Sequence, residues 1–297
     1  MNPFVKIAKT LQFVANHPLN QHRKFRAVME YGFIQVAALM VPGDLCLEFP
    51  NQTRLLVSPK MKGAAHFITP RLCEFADMVF VMHFLRAGEM FADVGANIGA
   101  FTVLAAGTAG AKVIAFEPSP ETFEMLSRNV RLNGLQDRVR PVNAVVGRNS
   151  GTVQFSAGLG TENHVTTTGK ENSVTLPMTT LDDELATSPA VLLKVDVEGF
   201  ETEVFGGAEK TLRNSVLQAV IVESNGSGNR YGYDEAKLHE QIRSHGFKPC
   251  RYEPFARRAL PLENIKAEGN IIYIRDIEAA NQRLSAAKPF ELGVFKV

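Results

Sequence analysis

Cysteine is scarce. Cys46, Cys73 and Cys250 are the three in 297 residues, far apart and with no CxxC pair. That excludes a disulfide framework and reads as reduced core or surface thiols in a cytosolic protein. The seven histidines show no HxH or HExxH spacing, so no metal site is expected. Charge of one sign is lacking too. The formal net charge is +1, which leaves no electrostatic footprint for a nucleic-acid partner. The densest basic run, HRKFR (22–26), reads as a solvated helix face, with a membrane-surface or partner contact as the alternative. Long hydrophobic runs are also missing: GFIQVAALMV (32–41) is interrupted by Gln35 and is too short to cross a bilayer. The first twenty residues, MNPFVKIAKTLQFVANHPLN, have neither a continuous apolar core nor a small-residue cleavage site. A soluble, cytoplasmic protein is the expectation.

What is present is an ordinary core-forming composition, 45% apolar and 21% charged, in two regions. Residues 1–88 read as a helical and hairpin extension, a substrate cover or an oligomer contact. FRAVMEYGFIQVAAL has helical spacing, and two short strands flank PNQT (50–53). In EFADMVFVMHFLRAGE, Phe75, Met78, Val79, Met82 and Leu85 recur at helical intervals as a core stripe, with His83 as a hydrogen-bonded structural histidine. From residue 89 to 297 the pattern alternates strand and helix. Strands are expected at 90–94, 112–117, 138–146, 191–196 and 217–223, most of them continuous apolar runs suited to burial on both faces of a parallel sheet. Ser119, Pro120 and Gly134 bracket one helix, and Gly246 stops another over 233–246. FKPCRYEP and GNIIYIRD follow without an intervening helix, hence as an antiparallel pair. The expected fold is a doubly wound α/β sheet with its ligand at the carboxyl ends of the strands. The stretch 157–175 reads as a long functional loop.

The first of these strands ends in DVGANIG. A dinucleotide fingerprint needs GxGxxG and a phosphate loop needs a following Lys–Ser/Thr pair; neither is here. What remains is a tight turn, Gly95, Ala96, Asn97 and Gly99, beside a carboxylate, Asp93. A carboxylate repels phosphate and suits an ammonium, while free helix amides nearby suit a carboxylate, so the turn reads as a site for an amino acid head group. The second strand ends in FEP, where Glu117 can accept both hydroxyls of a ribose, with Pro118 beside it. An amino acid end plus a ribose points to S-adenosyl-L-methionine. The alternative for Glu117 is a capping or surface glutamate.

Several ordered blocks, FADVGANIGAFTVLAA, VIAFEPSPETFEMLSRNVRLNG, TTLDDEL, LLKVDVEGFETEVFGGAEKTL and AVIVESNG, together resemble the FkbM family of S-adenosylmethionine-dependent methyltransferases over roughly residues 85–225. The resemblance implies a class I methyltransferase (Rossmann-like) fold and O-methylation of a hydroxyl on a sugar, glycan or secondary metabolite. It also implies an adenine side at Asn143 and Ala144. Lys194, Asp196 and Glu198 share one face while the chain stays extended. Asp196 and Glu198 can orient an acceptor hydroxyl, accept its proton or stabilise the sulfonium. His164, on the long loop, is a third candidate base, with Asn163 beside it as an acceptor contact. Glu223 and Asn225 line the same sheet edge as further acceptor contacts. The competing readings are a non-catalytic cofactor-fold partner and a nicotinamide-dependent oxidoreductase, the latter opposed by the missing phosphate loop. A homo-oligomer is compatible with the sequence.

Overall fold

The computed structural model describes residues 3–40, 43–59, 72–156, 164–166, 173–265, 269–292 and 295–296. The expected acceptor contact Asn163 and most of loop 157–175 lie outside them. The two strands flanking PNQT are β1 (Leu45–Glu48) and β2 (Arg54–Val57), an antiparallel pair.

The molecule is organised by one eight-stranded sheet. In chain order its strands are β3 (Met90–Val94), β4 (Lys112–Phe116), β5 (Val139–Val142), β9 (Leu192–Val195), β10 (Ala219–Ser224), β11 (Lys248–Glu253), β12 (Arg258–Pro261) and β13 (Gly269–Ile274). In space they run β12-β11-β13-β10-β9-β3-β4-β5. The pairs β5/β4, β4/β3, β3/β9 and β9/β10 are parallel, and β13 enters antiparallel between β10 and β11. The chain therefore winds outward from β3 through β4 to β5, then returns to β9 on the other side of β3. That reversal opens a crevice at the carboxyl ends of β3 and β9, where ligands of such sheets bind. The continuous apolar runs behave as expected: all four residues of β9 are buried, as are the last four of both β3 and β4.

The helix Pro120–Leu132 begins at Ser119 with Pro120 in its first turn and is followed by Gly134 at φ 63°, where only a residue without Cβ is at ease. A second helix, Glu235–Ser244, takes its cap from the Asp234 carboxylate, which accepts from the Ala236 amide at 2.9 Å. Helix Phe75–Phe84 is buried along nearly its whole length and joins the core on one face of the sheet, with Phe80, Met82 and Leu85 in the same cluster as Phe91, Ile98 and Val113. His83 is structural: its Nδ1 lies 2.5 Å from the Tyr252 hydroxyl.

Two details differ from the sequence expectation. The run 138–146 is not one strand. Asn143 donates from Nδ2 to the carbonyls of Glu117 and Pro118 at 2.8 and 2.9 Å, which turns the chain off the sheet after β5, an edge strand that tolerates Pro141. The residues beyond form β6 (Val145–Val146), which pairs with β8 (Ser173–Thr179) in a separate three-stranded sheet completed by β7 (Gly151–Ser156). The pair at the carboxyl end is also more elaborate, because β12 forms a hairpin with β11 before the chain reaches β13.

Candidate active site

A cavity of about 370 Å³ opens at the crevice between β3 and β9, within the size range of small-molecule sites. Its floor comes from strand ends: Val94 and Gly95 at the end of β3, Phe116 and Glu117 at the end of β4, Asp196 after β9, and Glu223 in β10. One wall is the small sheet, through Val145, Val146, Phe155 and the bridged residue Val165. Another is the start of helix Phe75–Phe84, through Cys73 and Glu74.

The turn after β3 explains its own sequence. Gly95 has φ +77°, and a Cβ there would lie 1.7 Å from the Asp196 carbonyl oxygen, so the crossing of two strand ends permits glycine alone. Asn97 also occupies the left-handed region, at φ 51°, which asparagine tolerates better than most residues. Its Oδ1 turns back to accept from the Ile98 amide at 2.8 Å. Gly99 is the N-cap of the short helix Ala100–Val103 and Ala96 is buried in the turn.

The amides of the turn itself, as distinct from those of the helix that follows, are engaged. The N–H groups of Gly95 and Ala96 donate to the Phe116 carbonyl, that of Gly99 to the Ala96 carbonyl, and that of Asn97 to Glu117 Oε2 at 2.9 Å. The turn spends these amides on holding β3 to the end of β4 and on closing itself, and the helix behind it, Ala100–Val103, continues directly into a wider helical turn, Leu104–Thr108.

Glu117 gains from that arrangement. Its other oxygen accepts from the Ser119 amide at 2.9 Å, so both oxygens are fixed at the cavity surface. Burial pushes its carboxyl up to about 7, against the pull of those two amides. Asp93, by contrast, is fully buried and is not among the residues lining the cavity. Its Oδ2 accepts from the Thr102 hydroxyl at 2.6 Å while Oδ1 has no hydrogen-bond partner. Burial raises its pKa, opposed chiefly by Lys194.

Lys194 is the hub of the site. Paired across the strands with Asp93, it donates to Asp196 Oδ2 at 2.9 Å and lies 4.8 Å above the centre of the Phe101 ring. Its charge is held on, against burial, by Asp196, Asp93 and Glu74. The alternation from Lys194 ends at Asp196, since Glu198 adopts φ 55° and the chain turns there. Glu198 nevertheless lines the same cavity. Burial, then Asp196 and Glu198, push the Glu223 carboxyl well up, and its Oε2 is buried without a partner.

Four contributors escaped the sequence reading. Glu74 and Asp77 both receive the Asn270 amide, at 2.5 and 3.3 Å, and burial raises both. Glu201 clamps the turn after β9, with Oε1 accepting from the amides of Val197 and Gly199 at 3.0 and 3.2 Å. Phe200 lines the cavity and meets the ring of Tyr231, the two centres 5.6 Å apart. The acidic spacing in DVEGFE was the one signal that could have drawn attention to Glu201.

Other expected residues sit nearby without lining the cavity. Asn143 buttresses the Glu117–Pro118 backbone, whereas Pro118 and Ala144 line the cavity. Asn225 is exposed and uses Oδ1 to accept from the Ser227 amide at 2.8 Å. His164 is half-buried; its amide donates to the Ser156 hydroxyl at 2.8 Å, and its neighbour Val165 is the one that faces the cavity, held by the Tyr231 hydroxyl at 2.9 Å. Among the described residues no cluster of His, Cys, Asp and Glu could hold a metal ion.

A parallel-to-antiparallel sheet in this strand order, with a fixed acid after the second strand of the winding and an acidic floor at the crevice, defines a class I methyltransferase fold. The chain belongs to the methyltransferase FkbM domain family, whose domain matches residues 93–249, and S-adenosyl-L-methionine is its cofactor. It is similar to the hexuronic acid methyltransferase AglP of Haloferax volcanii, 35% identical over 135 residues covering 44% of this chain and 54% of the relative. It is also similar to the methyltransferase sdnD of Sordaria araneosa, 28% identical over 205 residues covering 57% of this chain and 78% of that one. The chain thus spans about half the length of the first of these relatives. Among solved structures, an rRNA methylase from Streptococcus thermophilus aligns over 67% of this chain and 93% of its own, at 14% identity and a TM-score of 0.40.

The cavity fits the cofactor. Its lining holds five carboxyl groups and, among the described residues, no Lys, Arg or His, a setting that favours a sulfonium and an ammonium. If Glu117 receives the ribose, Glu117→Gln should weaken S-adenosylhomocysteine binding by about 1–3 kcal/mol. Wild-type affinity should itself fall as pH drops through about 7, since the ionised carboxylate is the better acceptor and binding then expels a proton. Calorimetry at pH 6 and 8 checks both, and a pH-independent wild-type affinity would remove Glu117 from the ribose.

Proposed function

We propose that this chain transfers a methyl group to a hydroxyl of a neutral, hydroxyl-rich acceptor, a sugar or glycan-like molecule. One observation carries the reading: the carboxyl groups of Glu74, Asp196, Glu198 and Glu223 at the cavity, without a basic residue among the described residues of its lining. A carboxylate acceptor would be repelled there, whereas a hydroxyl finds acceptors for its hydrogen bond and its proton. The similarity to a hexuronic acid methyltransferase supports a sugar ring as acceptor, while the acidic lining here argues against the acid form that the relative's name gives.

In this reading Gly95, Glu117, Pro118 and Ala144 hold the cofactor's nucleoside end. Asp93 acts from beneath the floor through Lys194, leaving Glu74 to face the amino group. S-adenosyl-L-methionine supplies an electrophilic methyl group on a sulfonium. Asp196 orients the acceptor hydroxyl and takes its proton, with Glu198 alongside. Lys194 steadies the Asp196 carboxylate from below, and Phe155, Val165 and Phe200 keep water from the reacting atoms. His164 and Asn225 lie outside this inner shell.

The test offers paired acceptors, a neutral glycoside and the corresponding uronic acid, and locates the methyl group in the product by NMR. An ether on a ring hydroxyl, formed faster on the neutral sugar, is the expected product. Methyl ester formation on the uronate would overturn the hydroxyl assignment.

A further inference from the structure

The N-terminal helical hairpin carries a feature that the catalytic site does not use. Helices Pro3–Asn16 and Lys24–Met40 pack against each other, yet Phe25, Met29, Phe33, Val36 and Met40 are 55 to 80% exposed. At roughly 100° per residue these five fall within an arc of about 80° on one helix face. Ile7 and Phe13 of the first helix are exposed as well. A stripe of this kind is more apolar surface than a soluble chain leaves uncovered without purpose.

Charge says what covers it. Residues 1–40 hold five Lys and Arg, Lys6, Lys9, Arg23, Lys24 and Arg26, against one acid, Glu30. The segment is +4 in a chain whose formal total is +1, so the remainder is negative by three. Lys24 and Arg26 flank Phe25, one on each side of the stripe, and both are exposed. Arg26 pairs with Glu30 at 2.8 Å, an exposed contact of little weight. A second copy seated on the stripe would bring two such basic segments together. An anionic lipid surface satisfies both halves of the pattern, taking the aromatic face among its acyl chains and the basic flank among its headgroups.

We propose that this hairpin docks the protein on anionic membrane surfaces, lying in the interface rather than crossing it. No helix among the described residues is long and apolar enough to span a bilayer. The basic run 22–26 is then not a merely solvated face. The hairpin is also tied to the site. His17, at its elbow, donates from Nε2 to the Leu72 carbonyl at 2.8 Å and packs edge-on to Phe75 at 5.5 Å, on either side of Cys73 and Glu74, which wall the cavity. Burial lowers the His17 pKa to about 4, so this anchor stays neutral and constant across physiological pH. Docking thus holds the cavity close to a lipid surface.

The test is vesicle flotation of the full chain, independent of methyl transfer. Vesicles of phosphatidylcholine alone are compared with vesicles containing a share of phosphatidylglycerol, at low and high salt. The chain should float with the anionic vesicles, less at high salt, and little with the neutral ones. Phe25→Ser with Phe33→Ser should reduce partition roughly tenfold or more, with the melting temperature and S-adenosylhomocysteine affinity unchanged, since both side chains are exposed. Lys24→Gln with Arg26→Gln should weaken binding to anionic vesicles alone. Absence of flotation with anionic vesicles overturns the proposal. So does equal flotation of the Phe variant, or a dimer by light scattering that the Phe substitutions split while wild type stays off the vesicles; that last outcome assigns the stripe to a second copy.

Discussion

Lys194→Met should destabilise the fold by about 3–5 kcal/mol, because it leaves buried carboxylates without their counter-charge. Asp196, Asp93 and Glu74 all hold the Lys194 charge in place, and Asp93 and Glu74 are already raised by burial with Lys194 opposing that rise. Removing the ammonium lifts both acids further above their unfolded values. Because both acids are raised in the folded chain, it takes up their protons before the unfolded chain does as pH falls, so variant and wild type should differ least at the acid end. As pH rises toward 8 the unfolded chain ionises freely while the folded variant resists, and the deficit should grow. Lys194 itself contributes no slope in this window, because its folded pKa is raised and its stabilisation persists below its unfolded value of about 10.5. Urea unfolding at pH 5 and pH 8 measures this. A deficit that is equal at both values would mean the loss is one of packing against Phe101, not of charge.

The parts of this site that lie within one strand and the turn after it were legible in the sequence. Glu117 could be found because β4 is a continuous apolar run that ends at the acid, and the winding puts that end at the crevice. Asn97 could be excused from being glycine by its chemistry, and its φ of 51° agrees. The fold was legible for the same reason, as apolar runs and helix caps are local signals. What was not legible depended on contacts between distant segments. Glu74 and Asp77 open a helix that looks like plain core, and they become part of the site only because Asn270, at the start of β13, meets them both. The split of 138–146 depended on Asn143 reaching back to the strand before it. The fate of Asp93 was set by its neighbour across the strands: register with Lys194 drew the carboxylate beneath the floor, and Thr102 fixed it there. A carboxylate at a strand end advertises charge but does not say which side of the floor it will occupy.

Asp196→Asn should lower the methyl-transfer rate by about 10²–10⁴-fold, the range expected when a positioned general base is lost, while S-adenosylhomocysteine affinity falls far less. Three carboxyl groups are candidates for this role in the proposed mechanism, and their surroundings differ. Glu223 is pushed up by burial and by the charges of Asp196 and Glu198, so it tends to keep its own proton and makes a poor acceptor for another. Glu223→Gln imitates that neutral form and should therefore change the rate much less than Asp196→Asn. Glu198 lines the cavity from a left-handed turn that is followed by Gly199, where a Cβ would lie 2.5 Å from the Ser227 carbonyl oxygen. This rigid corner suits it to aim the acceptor, so Glu198→Gln should raise KM more than it lowers kcat. Asp196 alone is bonded to an ammonium from below and open to the cavity from above. Thermal melts must accompany the kinetics, because Asp196→Asn also removes a partner from Lys194. A stable Asp196→Asn enzyme turning over at the wild-type rate would make that ion pair structural, and a larger loss in Glu223→Gln would move the base one strand over.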